Sequence, residues 1–290
     1  MKRVALSVAV VLLVLPLAGA EAGARRARRS SRPLPALAVV AEDALFRALD
    51  RGRLSPAEYA LARAQSLFQL GRVRDRFGNV ARPPQRAATM ILRDLVLRLS
   101  SLSGEDRELG EAILARPDGG GGNSFGSAYP AGAIVAEPLC TENICVHHVT
   151  NTAEAPSLAD GNGNAIPDYV ELVSQTFEDV WAKEIDQMGW RAPKSDLTST
   201  NHGPNENLDV YIADIGDEGV YGFCTTDDPN AQRGSTYRFF DMSAFCVVDN
   251  DYSAAQFSRG GRGTTGTPAL QVTAAHEFNH ASHFAYDIFA

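Results

Sequence analysis

Leu37, Val40, Ala41, Ala44, Leu45 and Leu49 recur at the three- and four-residue spacing of an amphipathic helix that ends near Arg51-Gly52. Ser55-Pro56-Ala57-Glu58 then marks the start of a second helix. Ser55 suits the N-cap, Pro56 the first helical position, and Glu58 completes a capping box. This helix is predicted to carry Tyr59, Ala62, Leu67 and Leu70 towards Gly71, and a third runs from about Arg86 to Leu102 with Ile91, Leu92, Leu95, Val96 and Leu99 on one face. Beyond these the period changes. Leu208 to Asp214 alternates as a strand does, and Ala244 to Val248 is a short apolar run suited to another. Leu172 to Met188 and Thr273 to Phe289 return to helical spacing. The pattern predicts an α+β protein with a helical N-terminal region.

A boundary falls between the two patterns. Residues 117–136 contain the run Gly119 to Gly122 and few large side chains, which reads as a Gly-rich linker. Charge reverses at the same place: residues 1–116 hold 20 Lys+Arg against 11 Asp+Glu, and residues 117–290 hold 7 against 24. The acidic second part points away from nucleic acid and towards cations. Residues 25–116 contain neither His nor Cys. They form a helical region without candidate chemistry, and a candidate propeptide. Without a cysteine there, latency of the cysteine-switch kind is excluded, so any zymogen form must act sterically or through a carboxylate.

The first residues bear on compartment. Lys2 and Arg3 precede the apolar stretch Val4 to Leu17, and Ala18-Gly19-Ala20 offers a cleavage site, so residues 1–24 read as a signal peptide. The basic run from Arg25 to Arg32 reads as a solvated tail. The mature protein is then expected to be secreted, with no membrane span. Export makes disulfides the natural reading of four cysteines. Of three pairings, Cys140–Cys145 with Cys224–Cys246 is favoured because both loops are short. A zinc site from Cys140, Cys145, His147 and His148 is the rival, and its spacing fits no common finger.

The sharpest chemical signal is His276-Glu277-Phe278-Asn279-His280. On a helix, residues four apart face the same way, so both imidazoles can reach one zinc ion. Glu277 stands beside them, where it can take a proton from a water that the metal holds. The longer metzincin pattern is missing: His283 and Tyr286 occupy the places of its glycine and third histidine, and no Met follows Met242. His283 lies about 10 Å along the helix from His276 at roughly 1.5 Å per residue, too far to share the ion.

A second signal is Asp160-Gly-Asn-Gly-Asn-Ala-Ile-Pro-Asp-Tyr-Val-Glu171. Asp160, Asn162, Asn164, the Ile166 carbonyl, Asp168 and Glu171 stand at the ligand positions of a calcium loop. Ala165 replaces the usual glycine at the sixth position. The competing reading is an Asx-rich turn that caps a helix. Asp227-Asp228 and Asp249-Asn250-Asp251 read as solvated loop charge, and His147, His148 and His202 as ordinary histidines.

Together these segments resemble a family of exported bacterial zinc metalloproteases. The likeness covers most of the mature chain, through Gly52 to Ser55, the Cys145 to Thr150 strand, the Asp160 to Glu171 loop, the strand from Leu208, and Ala274 to Asp287. It implies a zincin-like metalloprotease domain over residues 137–290, with His276 and His280 as zinc ligands and Glu277 as catalytic base. Its substrate would be a peptide or protein. The resemblance puts the third zinc ligand on a following helix, so the domain is expected to be incomplete at its C-terminal end and its third ligand to lie outside this chain. Tyr286 is a candidate oxyanion donor if it faces the cleft. The alternative function is a calcium-stabilised exported binding domain with a vestigial zincin site.

Overall fold

The structure, a computed structural model, describes residues 43–118, 128–228, 241–258 and 263–288. The predicted signal peptide, the basic run after it and Gly119 to Gly122 lie outside the described residues.

The N-terminal helices follow their caps. In α1 (Ala44–Asp50) the Asp43 side chain accepts from the Leu45 and Phe46 N–H groups. Ser55 and Glu58 form the reciprocal capping box, with Pro56 at the first turn of α2 (Pro56–Phe68). The chain then breaks at Gln69 (φ −133°, ψ 47°), and Leu70 opens α3 (Leu70–Phe77) rather than ending the second helix as its spacing predicts. The third predicted helix is α4 (Ala88–Arg98), flanked by 3-10 turns at Gln85–Ala87 and Leu99–Ser101. A further helix, α5 (Gly104–Leu114), was not resolved by the apolar pattern.

Five strands follow: β1 (Leu139–Cys140), β2 (Ile144–His147), β3 (Leu208–Ala213), β4 (Gly222–Thr225) and β5 (Phe245–Asp249). Their spatial order is β1-β2-β3-β5-β4. β2, β3 and β5 run parallel, while β1 and β4 are antiparallel edges. Every residue of β2 to β5 is buried, as in sheets covered on both faces. Both disulfides of the expected pairing are present, Cys140–Cys145 and Cys224–Cys246, each joining directly opposed residues of an antiparallel pair. Cys140 and Cys145 are therefore not zinc ligands. The disulfides fit an oxidising compartment outside the cytoplasm. No described helix is long and apolar enough to cross a membrane.

One face of the sheet is covered by α6 (Asp168–Trp181), which widens into a π turn at Ala182–Gln187, and by α8 (Gly266–Tyr286). A short α7 (Ala254–Phe257) precedes α8. Trp181 meets Phe278 edge-on, with ring centroids 5.8 Å apart. Alternation along β4 sends Gly222 and Cys224 towards α8 and Phe223 to the opposite face, where its ring lies 5.7 Å from that of Phe68 on α2. The N-terminal helices thus pack on the second face. Ala57, Leu61, Leu92 and Leu95 belong to the same buried cluster as Val247 and Phe278. A smaller cluster of Leu45, Leu54, Val73 and Val80 holds the outer helices together.

The junction between the two parts is also tied down. Tyr129, in the second half of the predicted linker, is buried and donates to the Ile212 carbonyl at 2.9 Å. Arg116 is 6% exposed and reaches Asp196 at 2.6 Å, Asp209 at 2.5 Å and Asp227 at 3.3 Å.

Candidate metal centre

α8 is an alanine-rich helix whose buried stripe of Ala269, Leu270, Thr273, Ala274, Phe278, Ala281 and Ala285 fixes its rotation against the sheet. That rotation leaves His276 and His280 together on one flank. Their Nε2 atoms lie 3.3 Å apart. Two nitrogens about 2.0–2.1 Å from a tetrahedral zinc would be separated by about 3.3 Å, so the donor pair fits that ion. Glu277 Oε1 is 4.0 Å from His276 Nε2. Among the described residues these three form the one group of His, Cys, Asp or Glu side chains whose potential ligand atoms converge, all within 4.8 Å.

Glu277 sits deep. Its side chain passes β4 at Gly222, where an added Cβ would stand 2.5 Å from Thr273 Cγ2 and 3.3 Å from Glu277 Cγ. Burial pushes the carboxyl up to about 7, opposed by hydrogen bonding from Thr89 and from the Cys224 N–H. The Thr89 hydroxyl donates to Oε2 at 2.7 Å. His280 is pushed down to about 4, chiefly by burial and further by His276, His283 and the Arg93 guanidinium. It is a neutral imidazole at physiological pH, the form that binds metal.

A cleft of about 840 Å³ opens beside His276 and Glu277, between α8, the Gly222 end of β4 and the Arg82-Pro83-Pro84 segment ahead of α4. β4 is the sheet edge here. Its Cys224 stands opposite Cys246 with Cα atoms 4.0 Å apart, the close approach of a non-hydrogen-bonded pair. The Cys224 N–H therefore points away from β5, towards the open edge, where Thr89 Oγ1 accepts it at 2.9 Å.

The structure also brings the acidic loop together. Asp160 accepts from the Gly163, Asn164 and Ala165 N–H groups, and Asp168 from that of Gly161. Asn164 Oδ1 accepts from Ile166 N–H at 2.9 Å. Glu171 takes Asn162 Nδ2 at 2.9 Å and Asn164 Nδ2 at 2.7 Å. Ala165 adopts φ 67°, the left-handed turn for which the sixth position normally uses glycine.

Other candidates lie elsewhere. His283 is exposed, its ring centroid 6.3 Å from that of His280. Tyr286 does not serve the cleft: its hydroxyl accepts from the Arg191 N–H at 2.8 Å. His147 is buried and paired with Asp209 at 2.8 Å, and His202 is exposed. Asp227 and Asp249 are not solvated loop charges. Asp227 pairs with Arg116, and Asp249 accepts from the Gly216 and Tyr252 N–H groups. Sequence reasoning missed Thr89, Arg93 and Arg116, because nothing in a local window marks a threonine in an apolar helix or one arginine among many.

Comparison of the chain with models of protein families, with curated proteins and with solved structures finds no match.

Proposed function

We propose that the protein is an exported zinc-dependent endopeptidase with a zincin-like arrangement, in which His276 and His280 hold the ion and Glu277 is the general base. The observation that carries this reading is the 3.3 Å approach of two imidazole nitrogens beside a buried carboxylate, on one helix facing a cleft. A zinc ion held there would supply Lewis acidity, polarising the scissile carbonyl and lowering the pKa of a water to about 7. Glu277 needs a pKa near the working pH to take a proton and return it to the leaving amine, and its burial supplies that. Gly222, at the start of edge strand β4, lines this cleft, so an extended peptide could lie beside the strand there.

The Asp160 to Glu171 loop is read as a calcium site that stabilises the fold, since hydrogen bonds already tie Asp160, Asn162, Asn164, Asp168 and Glu171 into one turn. A second reading, a calcium-stabilised binding domain with a vestigial zinc site, is favoured because, among the described residues, only Glu277, the residue assigned as base, joins His276 and His280 in the converging group. Zinc content and casein hydrolysis separate the two. The peptidase reading expects the protein to hold zinc and cleave casein, and Glu277→Ala to keep the zinc while losing cleavage. A protein without zinc, or a Glu277→Ala variant with full activity, sinks it.

A further inference from the structure

We propose that Thr89 on α4 is a positioning residue for Glu277, so that the N-terminal helical region completes the reaction centre. This rests on the peptidase reading above. The hydroxyl is fixed from both sides. Cys224 N–H, at the open edge of β4, donates to Thr89 Oγ1 at 2.9 Å. The one hydroxyl hydrogen is then left for Glu277 Oε2, 2.7 Å away. Holding Oε2 in this way turns the other carboxylate oxygen, Oε1, towards His276. A general base must reach its proton within hydrogen-bond distance, and a shift of about 1 Å can cost on the order of 100-fold in rate.

The contact belongs to a rigid setting. Thr89 is 1% exposed and Glu277 4%. α4 is anchored by Ile91, Leu92 and Leu95, which share the core of Phe223 and Phe278. At the far end of the helical region, Arg116 is buried against Asp196, Asp209 and Asp227. Shedding these helices would strip Glu277 of its hydroxyl partner and leave three carboxylates without their cation. The region is therefore a working part of the centre and stays with it.

The test uses the full chain and fluorescein-labelled casein, with Thr89→Val, Thr89→Ser, Thr89→Ala and Glu277→Gln compared for zinc content, melting temperature, kcat and KM. Thr89→Val keeps the shape and removes the hydroxyl. It is expected to lower kcat about 10- to 100-fold, with KM and zinc content within about twofold of wild type. Thr89→Ser restores the hydroxyl and should recover kcat to within about threefold. If Thr89→Val fails to fold, Thr89→Ala, which leaves room for a water, carries the same expectation on kcat. Unchanged or raised kcat in the hydroxyl-free variant, with Glu277→Gln inactive, overturns the positioning role and leaves the peptidase reading standing. Equal loss in Thr89→Ser and Thr89→Val also overturns it, since packing alone would then explain the effect. A wild type without zinc-dependent hydrolysis, or a fully active Glu277→Gln, overturns the peptidase reading and the role of Thr89 with it.

Discussion

Thr89 and Glu277 stand 188 residues apart in the chain and are joined by a 2.7 Å hydrogen bond in its interior. The bond links the helical region to the one carboxyl group of the candidate metal centre. The hydrophobic residues of the two parts also share a single cluster that runs from α2 through the sheet to α8.

Removing either imidazole should remove the metal. His276→Ala and His280→Ala are each expected to lower zinc affinity by more than about 100-fold, a larger effect than loss of a residue that only supports a ligand. Titration with a competing chelator measures this. Affinity unchanged in either variant would mean that the pair is not the zinc site.

Calcium should raise the melting temperature. Saturating a site at about 100 times its Kd stabilises by about 2.7 kcal/mol, a shift of several degrees for a chain of this size. Glu171→Gln, which removes a carboxylate gathered by Asn162 and Asn164, should abolish most of the shift. Identical melts with calcium and with chelator would exclude the loop as a cation site.

Arg116→Met should destabilise strongly. The substitution removes the cation from Asp196, Asp209 and Asp227, whose side chains are 4%, 1% and 9% exposed. Breaking a buried ion pair by removing one partner costs about 3–5 kcal/mol, so the melting temperature should fall by on the order of 10 °C. A fall of less than about 2 °C would show that the cluster adds little.

Glu154 gives a pH test. Burial first, and then Asp214, Glu218 and Asp249, push its carboxyl up to about 7, while the Asp214 N–H opposes them. A carboxyl with a raised folded pKa contributes stability below its unfolded pKa of about 4.3 and loses it as pH rises towards 7. Glu154→Gln can keep the 2.7 Å bond from the Asp214 N–H through its amide oxygen and cannot ionise. Its melting temperature, compared with wild type in chelator, should be more favourable at pH 8 than at pH 5. The opposite trend would show that the group is stabilised in its charged form.

Local chemistry was legible in the sequence because it depends on a few adjacent residues. The Ser55–Glu58 capping box, the shared flank of His276 and His280, and the converging loop from Asp160 to Glu171 all follow from spacing along one turn. β3 was legible from its alternation and β5 as an apolar run, whereas β4, only four residues long, has too little pattern to be seen. The break at Gln69 was hidden because the apolar spacing of Leu67 and Leu70 continues across it.

By itself, then, the sequence determined the α+β character, the disulfide pairing its short loops favour, and the candidate ligands, since each is set by propensity, period or short-range closure. The tertiary structure alone decided which partners those residues meet. It brought Thr89 to Glu277, Arg116 to three aspartates, and the helical region into one core with the sheet. Those contacts span roughly 80 to 190 residues, and a hydroxyl or guanidinium carries no mark in its own neighbourhood of which distant group will desolvate against it.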